Sequence, residues 1–349
     1  MNMRLLTLIL LLLLLACHSK TAQPALEQQT AQTASPLQTI AFGSCDKQNE
    51  PQNFWTEVVA NQPDLWIWLG DIIYADTEDM QAMQQMYQKQ KQNEYYQQLY
   101  QRTRIIGVWD DHDYGVNDGD KNYPKRVESK SQLLDFLDVT ADAPVRSHEG
   151  VYASYTFGPK GKRVKVILLD GRYFREPLQK GEGDNTRRYL PNPDGDMLGE
   201  AQWQWLEKEL TRSDAQIHLI GSGIQIISAE HPYEKWENFP AARKRLFDLI
   251  AKTKPAQAIL LSGDRHTAEI SKMELPGLSY PLYDITSSGL THAYTGANAN
   301  DEPNQYRIGR KLNAKNYALL KIDWSGKTPK VTAEIMEIGK SVFLKQVLN

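Results

Sequence analysis

Six apolar runs of strand length, each ending in Gly, Asp, Cys, Gln, Arg or His, constrain this chain more than any other feature. They are QTIAFGSC, DLWIWLGD, RIIGVWDDHD, VKVILLDGR, IHLIGSGIQ and AILLSGDRH. A run without polar alternation suits a strand buried on both faces, as in a sheet flanked by helices. Polar residues just past strand C-termini are where open α/β sheets gather ligands. Helices are expected between the strands: NFWTEVVAN, a long partly exposed helix from Glu78 to about Arg102, Leu198–Leu210 and Ala241–Ala251. Met and Trp on those faces read as core. The final segments YALLKIDW, KVTAEIMEI and SVFLKQVLN, separated by turn residues, predict an antiparallel edge. At 349 residues the chain suits one large domain or two small ones.

The N-terminus carries a different signal. MNMR precedes a leucine-rich run that is short for a membrane span and suits a signal peptide. Ala16 directly before Cys17 resembles a lipobox, where bacterial lipoproteins are cleaved and acylated. On that reading residues 1–16 are the signal peptide and Cys17 is the lipidation site. Residues 17–37, rich in Gln, Thr and Ala, form a flexible tether, and 38–349 the folded domain. His18 is not Asp, which implies a lipid-anchored protein of the bacterial cell envelope sorted to the outer membrane, on its periplasmic or surface face. An ordinary signal peptide or an uncleaved anchor is the competing reading. With a net charge of −3 and no basic stripe, no specific nucleic-acid binding is expected.

Acylation of Cys17 leaves Cys45 as a lone thiol in an oxidising compartment, where metal ligation would occupy it. A lone cysteine is also common as inert filler. Asp71 and Tyr74 follow the second apolar run, and three carboxylates flank His112 in WDDHD. Thiolate, phenolate and carboxylates that converge repel one another unless a cation neutralises them. Phenolate with carboxylate suits ferric iron. Asp111 reads as a metal ligand, His112 as a proton donor to a leaving oxygen and Asn117 as a supporting oxygen. An acidic surface turn is the plain alternative. Asp264 and His266 alternate, so on an extended strand end they would point toward one ion. Arg172 could clamp phosphate in a bidentate manner, or form a structural ion pair with Asp170 or Glu176. Gln225 and His292 lie at possible site edges.

In order, GSC, GDxIY, WDDHD, LDxRxxR and SGDRH resemble the alkaline phosphatase D (PhoD-like) family of the calcineurin-like metallophosphoesterase superfamily, from Cys45 to His266. The resemblance implies a four-layer α/β/β/α sandwich with metals at the strand C-termini, iron together with calcium, and phosphate mono- or diesters as substrates. Carried over, Asp71 bridges the metals, Cys45, Tyr74 and His266 hold the iron, and Asp264 and Asp111 face the second ion. Two departures stand out. Folded sequence is expected to begin near Gln38, without the N-terminal β-domain of some members, and a lipobox replaces the twin-Arg export signal.

The expected chemistry is attack on phosphorus by a hydroxide bridging two metals about 3.5–4 Å apart. Two readings compete with it. One is a cysteine hydrolase using Cys45 with His112 or His266 as base. The other is a lipoprotein that binds metal or phosphate without turnover.

Overall fold

The computed structural model describes residues 35–181, 189–296 and 302–348. The expected signal peptide, Cys17 and the expected tether up to residue 34 lie outside the described residues. The folded body already includes Leu37, which is buried and whose carbonyl accepts the indole N–H of Trp324 at 2.8 Å.

Each of the six apolar runs forms a strand. β1 (Thr39–Gly43), β2 (Leu65–Leu69) and β3 (Arg104–Val108) are parallel neighbours in one sheet. The C-terminal meander of β13 (Asn316–Asp323), β14 (Lys330–Glu337) and β15 (Val342–Leu348) extends that sheet antiparallel to β1, in the order β15-β14-β13-β1-β2-β3. In the second sheet β5 (Val164–Leu168), β8 (Ile217–Ser222), β9 (Ala258–Ser262) and β11 (Leu282–Ser287) run parallel. β4 (Ala153–Phe157) and β10 (Ala268–Met273) border them antiparallel, and β12 (Arg307–Leu312) pairs antiparallel with β10 at the outer edge. A short ribbon pairs β6 (Gln179–Lys180) with β7 (Tyr189–Leu190).

The strand period of two sorts side chains between layers. Val164, Val166 and Leu168 face inward with Leu219, Ile259 and Leu261, in one core with Ile40 and Ile67 of the first sheet. Ile167, Ile220 and Leu260 face outward, against α7 (Gly199–Thr211) and α8 (Pro240–Thr253). On the far face of the first sheet lie α1 (Trp55–Ala60), α2 (Met80–Gln92) and α3 (Glu94–Tyr100), where Trp66 and Trp68 pack edge-on against Trp55. The short α4 (Asp111–Tyr114), α5 (Arg126–Phe136), which packs on α2, and α6 (Pro144–Ser147) complete the described α-helices, beside one 3-10 turn at Trp236–Asn238. The result is the four-layer α/β/β/α sandwich.

One element departs from expectation. The long helix predicted over Glu78–Arg102 breaks at Asn93, whose backbone is non-helical (ψ 125°) and whose side chain accepts the N–H groups of Tyr95 and Tyr96. Asparagine competes with the helix by capping a new one. The break turns Tyr96 into the aromatic cluster of Trp55 and Trp68. Among the described residues no helix is long and apolar enough to cross a membrane.

Candidate metal centre

The parallel strands of both sheets deliver their C-terminal ends to one pole of the sandwich. Two glycines let them meet there. A Cβ on Gly70, at φ +89°, would sit 2.4 Å from the backbone nitrogen of Asp110. A Cβ on Gly263 would sit 2.5 Å from the Leu69 carbonyl in the opposite sheet. The residue after each glycine is an aspartate of the centre, Asp71 or Asp264.

Cys45, Asp71, Asp264 and His266 all adopt left-handed backbone, with φ of +62°, +51°, +68° and +52°. Non-glycine residues rarely sit there, and such strain concentrates at functional sites. This also corrects one expectation. β9 ends at Ser262, so Asp264 and His266 do not alternate on an extended strand and instead turn into two different groups of ligand atoms.

The first group joins Cys45, Asp71 and His266, with ligand atoms within 4.8 Å of one another. The Cys45 thiol donates to Asp71 Oδ2 at 3.2 Å, and the Tyr74 hydroxyl lies 3.3 Å from that oxygen and 3.1 Å from His266 Nε2. The second group joins Asp71, Asp110, Asp111 and Asp264 within the same limit. Asp71 belongs to both. One half therefore offers sulfur, nitrogen and oxygen, which suits a transition metal, and the other only carboxylate oxygen, which suits a harder ion.

Electrostatics argue for cations here. Two carboxylates 4.8 Å apart repel by about 3 kcal/mol at an effective dielectric constant of about 20. Burial, then the charges of Asp111, Asp113 and Asp264, push Asp71 well above the usual carboxylate range. Burial and Asp111 push Asp264 up to about 8. Burial works against ionisation of Asp111 too, but Arg172 and His112 hold it at about 2. Burial also raises the Cys45 thiol and the Tyr74 phenol. Asp110 Oδ2 is buried with no hydrogen-bond partner among the described residues, an acceptor that a cation would satisfy. The donor set fits bound metal.

Around this core, His112 Nδ1 bonds the Asp76 carboxylate at 2.8 Å and its ring stacks on Tyr74 with centroids 4.0 Å apart. Burial opposes protonation of His112, but Asp76 and Asp111 raise it to about 9. His292 Nε2 lies 3.1 Å from the Tyr74 hydroxyl, so the second edge candidate does belong to the centre. Gln225 does not, because its amide donates to Glu269 and Thr286 inside the second sheet. Asn117 is exposed and donates to Asp118.

Arg172 needs a larger correction. It is buried, with Nε and Nη2 on Asp110 Oδ1 at 2.8 and 2.6 Å and Nη1 on Glu234 at 2.7 Å. Its guanidinium is committed to protein carboxylates and is no open phosphate clamp. It fixes Asp110, an acid that sequence reasoning missed because nothing separates it from its neighbour Asp111. Asp113, another of the clustered acids, accepts the N–H groups of Asp71, Ile72 and Asp110 and braces the two loops together. The Cys45 thiol has Asp71, Ser44, Ser288, the Asp264 carbonyl and the Tyr74 hydroxyl as partners, and among the described residues no hydrogen-bonded imidazole, which disfavours a cysteine nucleophile.

Residues 40–319 match the family model described as PhoD-like phosphatase. The chain belongs to the PhoD-like phosphatase family. It is 21% identical over 291 residues to alkaline phosphatase D of Bacillus subtilis (strain 168), covering 69% of this chain and 48% of that protein. The chain thus spans about half the length of the curated relative it matches. A solved structure of PhoD superposes with a TM-score of 0.68 at 17% identity, covering 91% of this chain and 69% of that one. The purple acid phosphatase PPD1 of yellow lupin (Lupinus luteus) seeds superposes at 0.60 and 11% identity, over 90% and 54%. Both carry the same metallophosphoesterase-like fold.

Proposed function

We propose that this protein hydrolyses phosphate esters, as an alkaline phosphatase, a phosphodiesterase or both, with a pair of cations held at the shared pole of the two sheets. The observation that carries this reading is Asp71, common to a sulfur-nitrogen-oxygen group and to an all-oxygen group. Cys45, Tyr74 and His266 with Asp71 would hold ferric iron, and Asp71, Asp111 and Asp264, joined by Asp110, would hold calcium. Such ions, when bound, act as Lewis acids that make water nucleophilic toward phosphorus and offset the charge of the phosphoryl oxygens.

The chain's own residues do the rest. Asp71 fixes the spacing of the two ligand groups, and Asp113 locks the loop that carries Asp71 to the loop that carries Asp110 and Asp111. Arg172 holds Asp110 in place at the centre and offsets part of the burial that pushes its carboxyl above the usual range. His112, held through Nδ1 by Asp76 whose charge favours the protonated ring, is placed to deliver a proton from Nε2 to the departing alkoxide. The N-terminal leader supports export with acylation of Cys17, which would place the enzyme on the cell envelope as an outer-membrane lipoprotein.

The test is metal analysis of the purified full chain with a panel of phosphate mono- and diesters, before and after chelation. Chelation is expected to abolish turnover, and Asp71→Asn to lose activity and both ions together. Full activity after chelation, or in Asp71→Asn with intact metal content, would refute the two-cation centre.

A further inference from the structure

With Arg172 committed, the cation that meets a substrate phosphate must be sought elsewhere. Arg172 serves Asp110 and Glu234, Arg175 serves Glu234, Arg265 serves Glu302 at 2.6 Å, and His112 serves Asp76. Lys47 differs. It lies two residues past Cys45, half-buried, and its ammonium stands over the Tyr74 ring, 5.2 Å from the centroid. Its backbone N–H donates to Thr291 Oγ1 at 2.8 Å, which seats it beside the loop that carries His292. Its charge reaches the imidazoles of both His266 and His292. Among the described residues no carboxylate forms an ion pair with it.

An ammonium on a flexible stem beside an acidic centre, resting on an aromatic face and ion-paired to none of the described carboxylates, suits a charged oxygen that arrives with the substrate. We infer that Lys47 is a substrate-positioning residue that holds a phosphoryl oxygen, and that it favours monoesters over diesters. This rests on the phosphoesterase reading above. The preference follows from charge. A monoester is a dianion above its second pKa, whereas a diester is a monoanion with one fewer anionic oxygen to offer Lys47.

A charge-assisted hydrogen bond of this kind changes affinity by about 10- to 100-fold when removed. The full chain, reconstituted with metal, would be assayed as wild type, Lys47→Met and Lys47→Arg. The substrates are p-nitrophenyl phosphate and bis(p-nitrophenyl) phosphate, with inorganic phosphate titrated calorimetrically. Lys47→Met is expected to raise KM for the monoester and weaken inorganic phosphate by that factor, to affect the diester less, and to keep wild-type metal content. Lys47→Arg is expected to recover part of the loss. Equal losses on both esters, or an unchanged phosphate affinity, would overturn the inference. If the wild type hydrolyses neither ester, the phosphoesterase reading fails, while the phosphate titration still decides whether Lys47 holds the anion.

Discussion

The pairing of His112 with Asp76 yields a prediction with a worked magnitude. Burial favours neutral imidazole, yet the Asp76 hydrogen bond and the nearby carboxylates lift His112 from about 6.5 to about 9. At about 1.4 kcal/mol per pKa unit, that rise corresponds to about 3 kcal/mol of preference for the protonated ring. Asp76 is 44% exposed, so solvent screening cuts its share to about 1–2 kcal/mol, or about one pKa unit. Asp76→Asn keeps the size and an acceptor oxygen while removing the charge. In metal-free protein, where no cation adds its own field, an NMR titration of the His112 imidazole should show the midpoint falling by about one unit. Linkage gives the sign for stability. A folded-state value above the unfolded one stabilises the fold fully below about pH 6.5, and that contribution disappears as pH rises through about 9. Wild type should therefore lose more stability than Asp76→Asn between pH 6.5 and 9. In the loaded enzyme, the variant's alkaline loss of turnover should begin at lower pH, most clearly with alkyl esters, whose leaving groups need a proton. An unchanged midpoint in Asp76→Asn would refute the reasoning.

Arg172→Met strands the Asp110 and Glu234 carboxylates in the interior and should cost about 3–5 kcal/mol in urea denaturation, with a loss under about 1 kcal/mol counting against the ion-pair account. Cys17→Ala should abolish incorporation of labelled fatty acid and release the protein from the membrane fraction of a bacterial host; retained label would rule out acylation at that residue.

Much of the architecture was readable because it depends on local pattern. Each apolar run became a strand, and chemistry gathered where those runs ended, since only residues past a strand terminus are free to turn away from the ladder. What stayed hidden depends on partners distant in sequence or on backbone conformation. Arg172 is bonded by Asp110 and by Glu234, and nothing in LDGRYFR announces either partner. Asp264 and His266 looked like alternate positions of a strand, because a positive φ leaves no mark in residue identity outside glycine. Asn93 stood inside a stretch of strong helix formers, and only its dihedral angles reveal two helices. Strands β10 and β12 carry Glu, Ser, Lys and Arg at many positions, which obscured them among loops.

The direction of β1 has a consequence for access. Ser35 to Leu37 enter at one end of this strand and Cys45 leaves at the other, so any attachment through the N-terminal segment grips the molecule by the pole opposite its chemistry. A body held close by that end would present its reactive pole on the side away from the point of attachment.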